Sequence, residues 1–174
     1  VIYKLDEILK INQVAKENGM KIHMDGARFS NAIASLKKSP AEATWKLGID
    51  VLTFGGTKNG CMDAEAIIFF NPSDVNNFQY LQKRSGQLLS KTRFLSSQLD
   101  AYITDGLWLR NATHANDMAR KLSEKLSKIN SFELTYPTES NEIFIKMPKN
   151  IQDHLNNEGY SAIPDDMFDG SVRF

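Results

Sequence analysis

The chain has 174 residues, of which 41% are hydrophobic, so it is long enough to bury a core in one or two domains. Its 21 basic residues balance 21 acidic ones, which gives no electrostatic reason to expect a nucleic acid or an anionic membrane as a partner. The single cysteine, Cys61, excludes an internal disulfide framework and indicates a reducing, cytoplasmic compartment. No apolar run approaches the roughly 20 residues of a membrane span, and no signal peptide is visible.

The amino-terminal part of the chain alternates between helical and strand patterns. Apolar residues at helical spacing predict a helix over about residues 4–17, and a strand over 21–25 follows. Residues 28–36 suit a short helix. The capping box Ser39-Pro40-Ala41-Glu42 predicts the start of another helix, which Gly48 closes.

Two further strands are predicted over residues 51–54 and 65–70. The second is almost wholly apolar, which is typical of a strand that is buried on both faces. Helices that alternate with buried strands favour an α/β fold with a mostly parallel sheet.

From Ser73 to about Lys128 the pattern is helical, with Gly86 and Gly106 as breaks. Short strands over 132–135 and 142–146, a helix over 150–158 and a final strand near the end of the chain follow. We therefore predict a large domain over residues 1–108 and a smaller α+β domain over 109–174. The last residues read as the middle of a strand, so we expect the chain to be a piece of a longer enzyme.

A lysine and an aspartate each follow a predicted strand, and their chemistry is complementary. Lys58 lies in a turn with three glycines at 55, 56 and 60, where the absence of Cβ atoms lets the backbone approach a ligand. Asp25 ends the strand over 21–25. Ligands of open α/β sheets bind beyond the carboxyl ends of strands. Pyridoxal phosphate needs a lysine amine to hold it as a Schiff base and a carboxylate against its pyridine nitrogen.

Each residue also has a simpler interpretation. Lys58 could cap a turn, and Asp25 could form an Asx turn that opens the bend at Gly26. His23 shares a strand face with Asp25 and could orient it, although a structural histidine is the simpler interpretation. One cysteine and three scattered histidines do not form a recognisable metal site.

The segments around these residues resemble the signatures of the low-specificity L-threonine aldolases, which are pyridoxal phosphate enzymes of the aspartate aminotransferase fold type (fold type I). The resemblance lies in His-Met-Asp-Gly-Ala-Arg-Phe-Ser-Asn-Ala at 23–32 and Phe-Gly-Gly-Thr-Lys-Asn-Gly at 54–60. It extends through residues 83–86, 90–94 and 106–112 and covers nearly the whole chain. It implies that residues 1–108 are part of the large domain that binds the cofactor.

The resemblance also implies roles for six residues. Lys58 would carry the cofactor, Asp25 would pair with the pyridinium, and the Thr57 hydroxyl would reach the phosphate. Arg28 and Arg173 would bind the substrate carboxylate, for which the planar guanidinium is geometrically suited. Arg93 would reach the phosphate of a cofactor bound mainly by the neighbouring subunit, which implies a homodimer or homotetramer with shared active sites. Without the resemblance, Arg28 could pair with a nearby carboxylate and Arg93 could be a surface charge.

The implied reaction is the retro-aldol cleavage of threonine or allo-threonine, a small amino acid substrate, to glycine and acetaldehyde. Two alternatives stay open. The same cofactor chemistry serves other lyases and racemases of this fold type, and a non-catalytic module could retain the scaffold.

Overall fold

The computed structural model of this chain describes residues 2–165, 167 and 169–174. Val1, Asp166 and Phe168, which fall within the two predicted domains, lie outside the described residues. The chain divides into two compact units. One comprises Tyr3–Ala112, and the other comprises Thr113–Phe174 together with the first residues of the chain. Their assignment to the domains 1–108 and 109–174 of a larger enzyme stays a prediction.

The first three helices begin where the sequence predicts them. They are α1 (Leu5–Glu17), α2 (Phe29–Leu36) and α3 (Pro40–Ala43). The predicted capping box starts α3, because Ser39 Oγ accepts from the Glu42 N–H at 3.3 Å and the Ser39 N–H donates to Glu42 Oε2 at 3.0 Å.

The prediction of one helix from this box to Gly48 is wrong in its second half. The α-helix ends at Ala43 with Thr44 as its C-cap, and a separate 3-10 turn, Trp45–Leu47, follows before Gly48. The Thr44 hydroxyl donates to the Pro40 carbonyl at 2.7 Å. In a continuing α-helix this carbonyl would accept from the Thr44 N–H, which instead bonds the Ala41 carbonyl. Such side-chain bonds compete with the helix backbone, which explains the early end.

Three strands form the sheet of the larger unit, in the order β1 (His23–Gly26), β2 (Val51–Gly55) and β3 (Glu65–Phe69). β1 and β2 are parallel, with Asp25 opposite Thr53, whereas β2 and β3 are antiparallel. The sheet within this chain is therefore mixed, not mostly parallel. A parallel return needs a crossover of about a dozen or more residues, and residues 56–64 are too few to provide one.

The prediction that the apolar strand over 65–70 is buried on both faces is also wrong for this chain. Ile67 and Ile68 of β3 are 48% and 37% exposed. Within the described residues, β1 and β3 are the two edges of the sheet. An edge strand lacks one flanking strand, and its side chains are correspondingly less covered.

A cluster of aromatic and aliphatic side chains packs against β2. Phe54 is its centre, with its ring edge-to-face on Phe29 at 6.2 Å and on Trp108 at 5.8 Å, and tilted against Tyr102 at 5.7 Å. The other buried members are Ile33, Ala43 and Leu52. This core fixes the end of β2 relative to the helices that carry Phe29 and Tyr102.

The long helical region is broken where the glycines predict. It contains α4 (Phe78–Arg84), α5 (Arg93–Ile103) and α6 (Leu107–Leu126). Gly86 and Gly106 have φ angles of +73° and +68°, a left-handed geometry that glycine adopts without strain. Among the described helices, none combines the length and the apolar character that crossing a membrane requires.

In its described residues, the smaller unit contains a four-stranded antiparallel sheet and, besides the C-terminal part of α6, one further helix. The strands β4 (Glu133–Leu134), β5 (Phe144–Lys146), β6 (Pro164–Asp165) and β7 (Ser171–Arg173) lie in the order β4-β5-β7-β6, and α7 is Lys149–Asn157. The two-residue strand β6 has no periodicity to reveal it and was not predicted. The other elements lie where the sequence indicated them. They bury Ile145, Met147, Ala162 and Val172.

Candidate active site

The carboxyl ends of β1 and β2 lie side by side at the same end of the sheet, because the two strands are parallel neighbours. Asp25 lies at the end of β1 opposite Thr53, and Lys58 follows the end of β2 in a single 3-10 turn, Thr57–Asn59. Both side chains are exposed. The structure therefore brings the predicted lysine and the predicted carboxylate to the same end of the sheet, beyond the carboxyl ends of its parallel strands.

Asp25 forms the Asx turn that the sequence allowed and still has an oxygen to offer. Its Oδ1 accepts from the Ala27 N–H at 2.9 Å. Its Oδ2 forms no hydrogen bond with any residue that the structure describes. The turn thus orients the carboxylate without occupying it fully.

Lys58 is exposed and forms no hydrogen bond or ion pair within residues 2–165, 167 and 169–174. Its amine is therefore not committed to capping the turn, which was the simpler interpretation. The neighbouring thiol is a weaker candidate nucleophile. Burial, with a smaller contribution from the Glu65 carboxylate, raises the pKa of Cys61, so this thiol stays protonated at neutral pH.

Two glycines allow the carboxyl ends of β1 and β2, from which the two turns start, to approach each other closely. A Cβ atom at Gly55 would lie 2.6 Å from the Ala27 carbonyl oxygen, and one at Gly26 would lie 2.4 Å from the Thr53 carbonyl oxygen. Real Cβ atoms do not approach backbone oxygens so closely. Glycine at these positions is what permits the spacing between the aspartate turn and the lysine turn.

A buried hydrogen-bond network, which sequence reasoning missed, holds the residue after the lysine. The Asn59 amide donates to the Tyr102 hydroxyl at 2.5 Å and to the Trp108 carbonyl at 2.8 Å, and the Asn59 carbonyl accepts from Asn111 at 2.9 Å. The Tyr102 hydroxyl also lies 2.7 Å from Ser30 Oγ. These residues are far apart in the chain, so no local pattern could have identified the network.

Burial raises the pKa of the Tyr102 hydroxyl, although its hydrogen bonds with Ser30 and Asn59 act in the opposite direction. The hydroxyl is therefore neutral at physiological pH and serves as a hydrogen-bonding group.

The other predicted site residues differ in how the structure places them. Arg28 directly precedes α2 and is half-buried, so it follows Asp25 at the same edge. Thr57 is exposed, and its N–H donates to Glu65 Oε1 at 3.2 Å. Arg93 is the exposed first residue of α5. Arg173 belongs to the smaller unit, in β7, where its guanidinium lies 3.5 Å from the Glu142 carboxylate.

His23 is on the same face of β1 as Asp25, as its spacing predicts. Its Nε2 lies 2.7 Å from the Thr53 hydroxyl on the neighbouring strand. The hydrogen bond found for His23 therefore joins β1 to β2 and does not reach Asp25.

Comparisons with known proteins agree with these observations. A family model described as beta-eliminating lyase matches residues 1–149. A low-specificity L-threonine aldolase from a Pseudomonas species is 49% identical over 159 residues, which cover 91% of this chain and 46% of that relative. The solved structure of a threonine aldolase from Leishmania major is 28% identical with a TM-score of 0.85, and the match covers 99% of this chain and 51% of that one. The chain thus spans about half the length of these relatives.

A more distant structure extends the likeness in fold. A PLP-dependent aminotransferase from Streptococcus suis matches 100% of this chain and 48% of its own with a TM-score of 0.72 at 16% identity. At this identity the likeness concerns the fold alone. Together with the Leishmania structure, it confirms the predicted α/β fold of the PLP-dependent transferases, fold type I.

Proposed function

Because the chain belongs to the beta-eliminating lyase family, we propose that it is part of a pyridoxal phosphate-dependent threonine aldolase. The whole protein would cleave β-hydroxy-α-amino acids such as L-threonine and L-allo-threonine to glycine and an aldehyde. The names of the Pseudomonas and Leishmania relatives support this substrate class.

The observation that carries the proposal is the pair formed by Lys58 and Asp25. An exposed amine and an exposed carboxylate oxygen lie at neighbouring strand ends, and neither is engaged by the described residues. This pair fits pyridoxal phosphate, which needs an amine for its aldehyde and an anion for its pyridine nitrogen. The bound cofactor supplies an electron sink for the bond that breaks at Cα.

Each site residue of the chain would then have its own role. Asp25 keeps a proton on the ring nitrogen, and the Asx turn with Ala27 orients its carboxylate. Lys58 would hold the cofactor through its amine. Arg28 would bind the substrate carboxylate, and the Thr57 hydroxyl would donate a hydrogen bond to the cofactor phosphate. Cleavage of the Cα–Cβ bond would transfer the proton of the β-hydroxyl to a base, release the aldehyde and leave Cα to take up a proton.

Arg173 and Arg93 complete the proposal. Arg173 would be the second ligand of the substrate carboxylate, while its guanidinium also pairs with Glu142. Arg93 would bind the phosphate in the neighbouring subunit, so the working unit would be a homodimer or homotetramer with shared sites. The protein would act in the cytoplasm, as its single free cysteine suggests.

The test uses Lys58→Ala in the cofactor-loaded enzyme, with the exposed α1 residue Lys16→Ala as the control. We expect wild type and Lys16→Ala to show the absorbance band of lysine-bound cofactor and to release aldehyde from threonine, allo-threonine or phenylserine. Lys58→Ala loses both. A lysine-dependent band without aldehyde from any β-hydroxy amino acid would indicate another lyase or a racemase. A wild-type protein without the band would indicate a non-catalytic module.

A further inference from the structure

Tyr102 of α5 carries a hydroxyl that contacts the lysine turn and the first turn of α2, the helix that follows the Asp25 turn. It accepts from the Asn59 amide at 2.5 Å, next to Lys58, and lies 2.7 Å from Ser30 Oγ, on the helix that follows the Asp25 turn. The same hydroxyl is 3.5 Å from the carbonyl of Gly55, at the end of β2. We propose that Tyr102 is a positioning residue that sets the spacing between Lys58 and Asp25. This inference rests on the proposed function of that pair.

The lysine turn needs such support, because it is short and its own bonds are few. The Gly56 carbonyl accepts from the N–H groups of Asn59 and Cys61 at 3.0 and 3.1 Å, which closes the turn on itself. Beyond these bonds, the Thr57 N–H donates to Glu65 and the Asn59 carbonyl accepts from Asn111. The Asn59 side chain adds the buried bonds, to the Tyr102 hydroxyl and the Trp108 carbonyl. Lys58 directly precedes this anchor, so movement of Asn59 moves the base of the lysine side chain.

The aspartate turn is connected to the same hydroxyl from the other side. Ser30 is the second residue of α2, and only 1% of its surface is exposed. The turn between Asp25 and α2 includes Ala27, whose N–H orients the carboxylate. A shift of the first turn of α2 therefore changes where the Asp25 carboxylate points.

The hydroxyl is better explained by these partners than by packing. The Tyr102 ring is 2% exposed and packs against Phe54, a role that phenylalanine could fill. A buried hydroxyl is unfavourable unless it is hydrogen-bonded. A tyrosine hydroxyl has one proton to donate and lone pairs that accept, so it can form hydrogen bonds with Asn59, Ser30 and the Gly55 carbonyl at the same time. Its burial also keeps it from the reacting atoms, so its effect has to pass through the two turns.

The experiment removes only the hydroxyl, with Tyr102→Phe in the cofactor-loaded enzyme. The control is Tyr80→Phe, at a tyrosine that is 70% exposed. Misplacing a catalytic group by about 1 Å can lower the rate about 100-fold. We expect Tyr102→Phe to lower kcat at least tenfold with less than a threefold change in KM, and to shift the pH midpoint of the band of lysine-bound cofactor. Tyr80→Phe should match wild type in all three.

Ser30→Ala provides a second variant that leaves the bond between Tyr102 and Asn59 in place. We expect the same changes as in Tyr102→Phe but smaller, and this variant carries the test if Tyr102→Phe does not fold. Folded variants with wild-type kcat and a wild-type band titration would overturn the inference even if their thermal stability is lower. If wild type itself shows no Lys58-dependent band, the proposed function fails and the inference fails with it.

Discussion

Gly55→Ala tests whether the close approach between the end of β2 and the turn after β1 is essential to the candidate site. The new Cβ would lie 2.6 Å from the Ala27 carbonyl oxygen and 2.7 Å from Ala27 Cα, well inside ordinary contact. Both are backbone atoms, so no side-chain rotation relieves the overlap, and the turns must move apart by several tenths of an ångström. Inserting atoms into packed regions typically costs about 1–3 kcal/mol. Because the Ala27 N–H orients Asp25, we expect the displacement to reach the carboxylate as well.

Thermal unfolding and cofactor titration together measure this effect. A loss of 1 kcal/mol lowers the Tm of a chain of this size by roughly 2–4 °C. We expect Gly55→Ala to lower the Tm and to weaken cofactor binding about tenfold, which corresponds to about 1.4 kcal/mol.

Gly19→Ala is the matched control. A Cβ at Gly19 meets nothing within 4 Å, but its φ of +63° is strained for alanine. It should lower the Tm through strain of about 1–2 kcal/mol without changing cofactor affinity. The reasoning is refuted if Gly55→Ala stays within about 0.5 kcal/mol of wild type, as a surface substitution would, and keeps its affinity.

Two further substitutions test the charge of Asp25 and the capping box of α3. Asp25→Asn keeps an oxygen that can accept from the Ala27 N–H but removes the negative charge, so we expect an intact fold and a fall in aldehyde release of at least about 100-fold; a wild-type rate would exclude the pyridinium role. Ser39→Ala removes the cap of α3 and should cost about 1 kcal/mol in urea unfolding at neutral pH. Hydrogen bonds from Ser39 hold the pKa of the Glu42 carboxyl below its ordinary 4.5. The Glu42 carboxylate therefore stabilises the folded state above pH 4.5, and this stabilisation is lost as the pH falls further. The difference between wild type and Ser39→Ala should narrow in acid, and a constant difference would contradict the reciprocal cap.

Most elements of the fold could be predicted because their signals are local. The capping box at Ser39 and the glycine breaks at 86 and 106 act within a few residues, and all of them are confirmed. The errors concern information that local patterns lack. The early end of α3 depends on where one hydroxyl, that of Thr44, finds an acceptor. The exposure of β3 depends on which strands flank it.

The same contrast between local patterns and long-range packing applies to the candidate site. The motifs predict that Asp25 and Lys58 belong together, and the parallel pairing of β1 and β2 brings their strand ends to one edge. The residues that hold these turns could not be predicted, because Ser30, Asn59 and Tyr102 have no shared spacing in the sequence. Only the packing of α2 and α5 around Phe54 brings their side chains together. The roles of Arg28, Arg93 and Arg173 stay predictions.

The edges of the three-stranded sheet affect how any self-association of this chain is interpreted. In the described part of the chain, β1 and β3 each have only β2 beside them. Unpaired backbone N–H and C=O groups on such strands can bond with a strand from another molecule. A dimer or larger species seen when these 174 residues are purified by themselves could thus arise by adventitious strand addition. Such a species would therefore not by itself test the predicted role of Arg93 at a shared site.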